Sequence, residues 1–415
     1  MNKLEAFVYK QVKNNYKLKN FVRNLYQGFY DLLPNYESEF TREPVVLPRS
    51  FYGFHDTKPF SADGSMLLAC RYNIPLRMPT ADDCLEVGFW SGEHFSEWNR
   101  VGETFSWNYH KGCRLQWMGN GSACIYNVFA DGRMKSCICD VVGGGSRLLD
   151  WPVDTVSPDG RLATCFSYER LEQMMPGYGY VFGDDDAFLA EDIPESTGLF
   201  IIDTKRNERR LLLSLREIAA FKPEESMNAT FHFVTHTEFS PNGRYVSFLH
   251  RWYKGTSRNT RLVVYDMEQK QMYVSPTTGM VSHYAWNGEG GIVAYCRVED
   301  VDSHVYFESA EMKEWKRCGF PQLNSDGHQH FIDNDWFLTD TYPDKWRHCK
   351  LYKVNRKTDE VVLLADVKSP KRFVSPDEHH HWKCDLHPRC DAKGKWASFD
   401  SVHTGERSLC VMPLE

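Results

Sequence analysis

The chain has 415 residues, of which 42% are hydrophobic and 14% aromatic, so it holds enough apolar material for a large packed core. Its formal net charge of -7 at pH 7 argues against general nucleic-acid binding, which requires a basic surface. It has no apolar run long enough for a membrane-spanning helix.

Residues 1–45 are predicted to form a short, basic, amphipathic helical segment. Apolar residues recur there at roughly helical spacing between Leu4 and Phe29, and six lysines and arginines lie among them. Such a helix can pack against the rest of the protein, or it can attach the protein to an anionic membrane surface or a partner. The segment lacks the apolar core and cleavage site of a secretory signal.

The cysteines, like the missing secretory signal, indicate the cellular compartment of the protein. There are 13 of them, an odd number at irregular spacing, and several occur inside strand-like runs. This pattern is typical of reduced, buried thiols rather than of a disulfide framework. We therefore expect a cytoplasmic protein that can lie peripherally on the inner membrane.

Residues 46–415 repeat one hairpin seven times, each copy consisting of an apolar strand, a turn with Gly or Asn, and a strand rich in β-branched and aromatic residues. Further strand-like runs follow each hairpin. The turns are centred on Gly64, Gly121, Gly160, Gly243, Gly288, Asn334 and Gly394. This repetition predicts an all-β fold, a seven-bladed β-propeller, in preference to a double-sheet sandwich.

Two long inserts interrupt the repeats. The first runs from Arg170 to Ser196 and contains the motif "PGYGY" with Tyr178 and Tyr180; the second runs from Asp377 to Asp385. Both are too long for plain hairpin turns, so we expect them to be loops over a binding face.

Histidines precede five of the turns at similar distances. They lie five to nine residues before the turn Gly or Asn and are His55, His236, His283, His328 and His387. In a propeller the first strand of each blade lines the central channel and all first strands run in the same direction. The five imidazoles should therefore meet at one mouth of the channel.

The second strand of each hairpin runs back toward the same mouth, so residues equally far beyond the turn should return beside these histidines. The expected partners, in chain order, are Arg71, Arg251, Arg297, Tyr342 and His403. Guanidinium groups bind carboxylates in a bidentate manner, which predicts a site for an acidic ligand. Converging neutral imidazoles also suit a divalent metal, and His/Cys combinations favour zinc.

Four segments resemble the blades of oligogalacturonate-lyase-type propellers and of the related propellers that cleave ulvan: "THTEFSPNGRYVSFLHRW", "VSHYAW", "LTDTYPD" and "CDLHPR". The resemblance covers roughly Ser50 to Glu415. It implies β-elimination at a uronic acid. In this reaction a cation neutralises the carboxylate, a base removes the C5 proton, and an acid assists departure of the O4 leaving group.

In the oligogalacturonate lyases, a His beside an Arg is followed by manganese ligands on the next blade and on the last. His236 matches the first position and His283 the ligand on the next blade. The last cluster has the form Q-x-x-H-P-H, and this chain keeps only His387, with Cys384 and Arg389 at the outer positions. The resemblance then implies either a zinc-like site with Cys384 or an Arg389 that replaces the metal, as in ulvan-type lyases.

The roles follow from that resemblance. His236 is predicted as base, Arg251 and Arg389 as carboxylate clamps, and Tyr342 as proton donor. His283 and His387 are predicted as manganese or zinc ligands or acid partners, with Cys384 as a further zinc ligand. The substrate-binding residues are expected to be His55, Arg71, Arg297, His328 and either or both of Tyr178 and Tyr180.

Two other functions remain open from the sequence. One is a glycosyltransferase or accessory protein of surface-polysaccharide assembly, in which the mouth would hold a sugar nucleotide or a lipid diphosphate. The absence of a signal peptide and the basic N-terminal helix favour it. The other is a non-catalytic propeller that serves as an interaction platform, because fold alone does not fix function.

Overall fold

The structure is a computed structural model that describes residues 16–119, 121–183, 185–255, 257–377 and 379–414, with side chains from residue 22 onward. The part of the predicted helical segment in residues 1–15 therefore lies outside the described residues. Within the described ranges, 28 β-strands form seven sheets, which confirms the predicted seven-bladed β-propeller.

Two short strands, β1 (Glu39–Phe40) and β2 (Val45–Pro48), precede the first blade. Blades 1 to 3 then follow in chain order. Blade 1 contains β3 (Ser50–Phe51), β4 (Leu67–Tyr72), β5 (Leu85–Ser91) and β6 (Glu97–Thr104). Blade 2 contains β7 (Gln116–Met118), β8 (Ala123–Ala130), β9 (Arg133–Asp140) and β10 (Ser146–Leu149). Blade 3 contains β11 (Leu162–Cys165), β12 (Gly198–Asp203) and β13 (Glu208–Ser214).

Blades 4 to 7 complete the circle. Blade 4 contains β14 (His232–Phe239), β15 (Tyr245–Lys254), β16 (Ser257–Asp266) and β17 (Gln271–Val274). Blade 5 contains β18 (Val281–Trp286), β19 (Ile292–Val298), β20 (Val301–Phe307) and β21 (Trp315–Arg317). Blade 6 contains β22 (His330–Phe331), β23 (Trp336–Asp340), β24 (His348–Asn355) and β25 (Val361–Lys368). Blade 7 contains β26 (Arg389–Cys390), β27 (Trp396–Ser401) and β28 (Ser408–Pro413).

The described residues also contain three α-helices: α1 (Tyr16–Tyr30), α2 (Tyr168–Met174) and α3 (Leu215–Ala220). Helix α2 begins just before the first long insert and continues into it, so that insert is partly helical rather than loop throughout. None of the described helices is long and apolar enough to cross a membrane.

The repeated turn sequence has a local chemical reason. In "SPNG", the Ser240 hydroxyl donates to the Asn242 side-chain oxygen over 2.7 Å and accepts from the Tyr245 N–H over 2.9 Å. Gly243 has φ 72°, a conformation that glycine adopts without steric cost. The turns at Gly64 and Gly160 contain the same serine bridge, with an Asp in place of the Asn. The sequence repeat is therefore a repeat of one hydrogen-bonded turn.

The chain closes its ring with a strand from the N-terminal side. Strand β2 pairs antiparallel with β28 and becomes the outermost strand of blade 7. Strand β1 pairs with β25 at the outer edge of blade 6. Pairing with the propeller sheets thus begins at Glu39, within the 1–45 segment that the repeat pattern set apart.

We expect Leu47→Ala to lower the free energy of unfolding by about 2–4 kcal/mol, because Leu47 is buried in the core between blades 7 and 1. Chemical denaturation followed by tryptophan fluorescence measures this change. Leu148→Ala is the matched control, because Leu148 also lies on an outermost strand but is exposed. Equal losses from the two variants would contradict closure through β2.

Candidate functional site

The ring of Phe54 lies at the centre of a group of six imidazoles, which we call the histidine cluster. Each imidazole centroid is 4.5–5.9 Å from the Phe54 centroid. The cluster consists of His55, His110, His236, His283, His328 and His387. Six blades each contribute one histidine, and the structure brings the five histidines named from the sequence together.

The cluster fills the channel rather than lining an open one. The His55 Nδ1 donates to the Gln329 carbonyl over 2.8 Å, and the His330 Nδ1 donates to the His55 carbonyl over 2.9 Å. These bonds join blade 1 to blade 6, although blade 7 lies between them in the ring. The stretch that carries Phe54 thus packs across the channel, and the imidazoles around it are almost completely buried.

The backbone is irregular at two histidines of the cluster, His236 and His387. The β14–β15 ladder shifts register between Thr235 and Glu238, and His236 in this bulge has φ 54°. His387 has φ 45° and lies just before β26. Left-handed backbone is uncommon outside glycine and is often found at functional sites.

His110 was missed in the sequence because it lies 11 residues before Gly121, in an irregular stretch ahead of β7. Its ring centroid is 4.9 Å from that of His387, 4.2 Å from that of Tyr178 and 5.1 Å from that of His381. The sequence "NYHKGC", which contains His110, does precede the second turn. However, the distance from His110 to that turn is outside the range shared by the other five histidines.

Burial lowers the pKa of most imidazoles in the cluster. It holds the pKa of His55, His110, His236 and His387 well below the ordinary value, and that of His283 at about 4. Neighbouring positive charge adds to the effect of burial, coming at His236 from Arg251. These five imidazoles are neutral at pH 7 and can act as bases or metal ligands.

His328 is the exception within the cluster. Burial alone would lower its pKa, but the carboxylate of Asp340 outweighs burial and raises it. The His328 Nδ1–H donates to the two Asp340 oxygens over 2.8 and 3.0 Å, which leaves the Nε2 pointing away from the carboxylate. A carboxylate paired in this way fixes the orientation of the ring and favours the imidazolium form.

Three buried groups of the cluster region have the composition of a metal site. Ligand atoms of His110, Asp385 and His387 lie within 4.8 Å of one another. Both ring nitrogens of His110 and His387 have no hydrogen-bond partner among the described residues, and the Oδ2 of Asp385 is 2.8 Å from the Lys383 ammonium. Two neutral imidazoles and a carboxylate are a donor set that fits a divalent ion such as manganese or zinc.

Only one of the metal ligands named from the sequence belongs to this group, namely His387. Cys384 packs in a small core cluster with Phe373 and Val402, and burial raises the pKa of its thiol to about 12. Cys384, the expected zinc ligand, is therefore not part of this group of ligand atoms. The His283 Nδ1 instead contacts the Gly327 carbonyl at 3.2 Å and the Asp326 carboxylate at 3.4 Å.

Arg251 is buried beside the cluster without a carboxylate partner among the described residues. Its guanidinium contacts the Met175 sulfur at 2.7 Å and the Ser282 carbonyl at 3.4 Å, and its Nε has no partner. Burial lowers its pKa to about 9, so it stays charged at pH 7. In the ladder it is opposite Phe233, not His236.

Two tyrosines and a lysine border the cluster. Tyr342 is 5.7 Å from His328 between ring centroids, and the Lys383 ammonium lies 4.6 Å from the Tyr342 centroid. Lys383 also forms an ion pair with Asp385 at 2.8 Å. Tyr178 contacts His110, as the long insert predicted, whereas Tyr180 lies in the core. The Tyr180 hydroxyl accepts from Asn127, and the ring packs in the core rather than beside the cluster.

Four side chains that the sequence assigned to the site have partners outside the histidine cluster. Arg71 lies over Trp90 and Trp98, and Arg297 forms an ion pair with Asp302 at 2.6 Å. Each is therefore engaged elsewhere on its blade. Arg389, the predicted carboxylate clamp, is fully buried against Asp400 at 3.0 Å, and His403 packs on Phe40. The hairpin pairings predicted for Arg71, Arg297 and His403 are therefore not formed, and Arg389 already has a carboxylate partner within its own blade.

A buried network of charged side chains, centred on Asp154 in blade 3, lies next to the histidine cluster. The sequence did not indicate this network. The Asp154 carboxylate accepts from the Lys111 ammonium over 3.0 Å and from the N–H of Thr237 over 2.9 Å. The Arg114 Nε–H donates to the Asp154 backbone carbonyl over 2.7 Å and lies 3.1 Å from the carboxylate. Arg114 also forms an ion pair with Asp56 at 2.8 Å. These contacts join blades 1 to 4, and they begin one residue from His110 and one residue from His236.

No protein-family model matches this chain, and no curated protein matches it. Among solved structures, the tricorn protease is similar over 91% of this chain, with 11% identity and a TM-score of 0.50. The chain spans 34% of that protein's length. An oligogalacturonate lyase in complex with manganese aligns over 92% of this chain and 96% of its own, with 12% identity and a TM-score of 0.39. At such identities the likeness shows the β-propeller fold alone.

The neutral state of the buried imidazoles predicts that the protein loses stability in mild acid. Their unfolded-state pKa of about 6.5 exceeds the folded one, so below pH ~6.5 the unfolded chain binds more protons. Each such histidine then lowers the free energy of unfolding by up to about 1.4 kcal/mol per pH unit. His328, with its raised pKa, acts in the opposite direction.

Urea denaturation between about pH 7.5 and pH 5.5, with a chelator present, measures this slope. Constant stability over this range would show that the cluster is not held neutral.

If His110, Asp385 and His387 bind a divalent ion, Asp385→Asn should weaken Mn²⁺ or Zn²⁺ binding at least about tenfold. Isothermal titration of the chelator-treated protein measures this affinity. Cys384→Ala is a control in the adjacent residue and should bind the ion as the unmodified protein does. A loss of binding in Cys384→Ala alone would contradict the assignment of the ligands.

Proposed function

We propose that the protein acts on an acidic, uronate-containing saccharide and cleaves it by β-elimination. The observation that carries the proposal is Arg251, a buried guanidinium that has no carboxylate partner among the described residues and is adjacent to a set of neutral imidazoles. A buried charge without a counter-ion is costly, and a carboxylate of the substrate would offset that cost.

In this proposal Arg251 binds the uronate carboxylate. Bidentate binding of the carboxylate holds the sugar in place and withdraws electron density from it, so that the C5 proton becomes more acidic. A guanidinium with a pKa of about 9 remains a full positive charge at neutral pH. The clamp therefore operates without a change in its own protonation.

His236 takes the C5 proton. Burial and the charge of Arg251 keep its imidazole unprotonated at pH 7, which is the form a base requires. The Thr235 hydroxyl is 2.7 Å from the His236 Nδ1 and orients the ring. The electron pair of the broken C5–H bond then forms the C4–C5 double bond as the C4–O4 bond breaks.

Tyr342 supplies a proton to the departing O4. Burial raises the pKa of its phenol well above the ordinary value, so the group is protonated at neutral pH. His328 is close to it, and Asp340, which raises the pKa of His328, favours the imidazolium form that would stabilise the phenolate that remains. The two groups thus perform the acid half of the reaction.

His110, Asp385 and His387 would hold a divalent cation in this scheme. Such an ion supplies Lewis-acid stabilisation of the negative charge that develops on the uronate. Lys383, paired with Asp385, adds a further positive charge to the same side of the mouth. Tyr178 closes the region above His110 and provides an aromatic face for a sugar ring.

Incubation with oligogalacturonate or other uronate oligosaccharides should produce the ultraviolet absorbance of a C4–C5 unsaturated uronate. Arg251→Gln should lower kcat/KM by about 10²–10³-fold, and His236→Ala by about 10²–10⁴-fold. Arg71→Gln is the matched control, because Arg71 lies over Trp90 and Trp98, and it should keep full activity.

Two outcomes would contradict the proposal. One is unchanged turnover in His236→Ala. The other is absence of the absorbance with every uronate oligosaccharide, combined with a rise in Tm on adding a sugar nucleotide. The second result would favour the transferase that the sequence left open.

A further inference from the structure

Helix α1 is anchored to the propeller beside the candidate site. The Gln27 side chain donates to the Asp344 carbonyl over 2.7 Å, and Arg347 forms an ion pair with Asp31 at 2.7 Å. The ring of Tyr30 packs edge-on against Trp346 at 4.5 Å. These contacts use one face of the helix and seat it on the loop that follows Tyr342.

The opposite face of the same helix is apolar and exposed. Leu25 is 68% exposed, Phe29 is 61% exposed, and Leu32, just beyond the helix, is 83% exposed. Their spacing of four and three residues places them on one side. Single exposed apolar residues are ordinary, but three on one helical stripe form a surface that is costly to leave in water.

The charge around this stripe is positive. Residues 1–30 contain six lysines and arginines and one acidic residue, whereas the whole chain carries -7. Lys371 and Lys345, both close to the end of the helix, add positive charge from blade 6. A basic segment with an exposed apolar stripe has the composition of a helix that lies in the plane of an anionic bilayer.

We propose that the exposed face of α1, defined by Leu25, Phe29 and Leu32, inserts into the surface of an anionic lipid membrane. The apolar side chains enter the boundary between head groups and acyl chains, while Arg23 contacts lipid phosphates. This docking is a second, surface-binding activity that stands independently of the saccharide chemistry.

The helix also fixes which side of the propeller faces the lipid. Gln27 and Asp31 hold the helix on the loop that follows Tyr342, at the border of the candidate site. Lys383 in turn lies over Tyr342. Insertion of α1 therefore holds the histidine-cluster side of the channel next to the membrane, where a membrane-linked or membrane-proximal saccharide would be presented.

Co-sedimentation of the full chain with vesicles tests the proposal. The protein should bind vesicles that contain phosphatidylglycerol and not vesicles of phosphatidylcholine alone, and added salt should weaken binding. The triple variant Leu25→Gln/Phe29→Gln/Leu32→Gln should bind at least about tenfold more weakly, because three apolar side chains no longer enter the bilayer. Its Tm should not change, since these side chains are exposed.

The matched control is Val142→Gln/Val181→Gln/Leu363→Gln, three exposed apolar residues on other parts of the propeller, and it should bind as the unmodified chain does. Three results would overturn the proposal. They are no binding to either vesicle, equal loss of binding in both triple variants, and equal binding to neutral and anionic vesicles.

Sedimentation velocity distinguishes between two occupants of the exposed face of α1, a membrane and a second copy of the chain. The unmodified protein should be monomeric at the concentrations used for the vesicles. The proposal would be overturned if the unmodified protein formed a dimer and bound no vesicles, while the triple α1 variant was monomeric. That result would show that the stripe is a contact between copies of the chain.

Discussion

The candidate site depends on the packing of one phenyl ring, Phe54, against imidazoles from six blades. Buried aspartates hold the strands that bring these rings together. Asp400 accepts hydrogen bonds from the backbone N–H groups of Tyr52 and Gly53, directly before Phe54. Asp340 accepts from the N–H groups of His328 and His387 and so joins blade 6 to blade 7. Removal of either carboxylate would leave several buried donors unsatisfied.

The same packing sets the electrostatic character of the site. Because the imidazoles are almost fully buried, five of them are neutral at pH 7, and the charge of the sixth depends on Asp340. The neutral imidazole nitrogens can accept a proton or bind a cation, and the adjacent Arg251 and Lys383 can bind a carboxylate. Neither event requires the reorganisation of water. The chemistry proposed for the site thus follows from burial more than from any single residue type.

The fold could be predicted from sequence because each blade contains a turn of recognisable composition. The meeting of the histidines could be predicted too, since residues at one end of parallel inner strands must approach one axis. The arginine partners could not, because equal distances from the turn do not give the register: Arg251 pairs with Phe233, three residues from His236. Bulges in β14 and β18 add a shift of one residue, which turns a side chain to the other face of its strand.

Two further features of the site were not predicted from the sequence, for different reasons. His110 precedes its turn by a longer, irregular stretch, so no common spacing reveals it. The aspartates at the ends of β23 and β27 do share a spacing, since Asp340 follows Asn334, and Asp400 follows Gly394, by six residues. That regularity was a usable signal, but only the contacts in the structure show what these carboxylates bind.

The most direct measurement of the central claim is the protonation state of each imidazole, read from side-chain nitrogen chemical shifts of histidine-labelled protein at several pH values. We expect His328 to titrate above pH ~6.5, while His55, His110, His236, His283 and His387 remain neutral well below that pH. Titration of these five near pH ~6.5 would contradict this expectation.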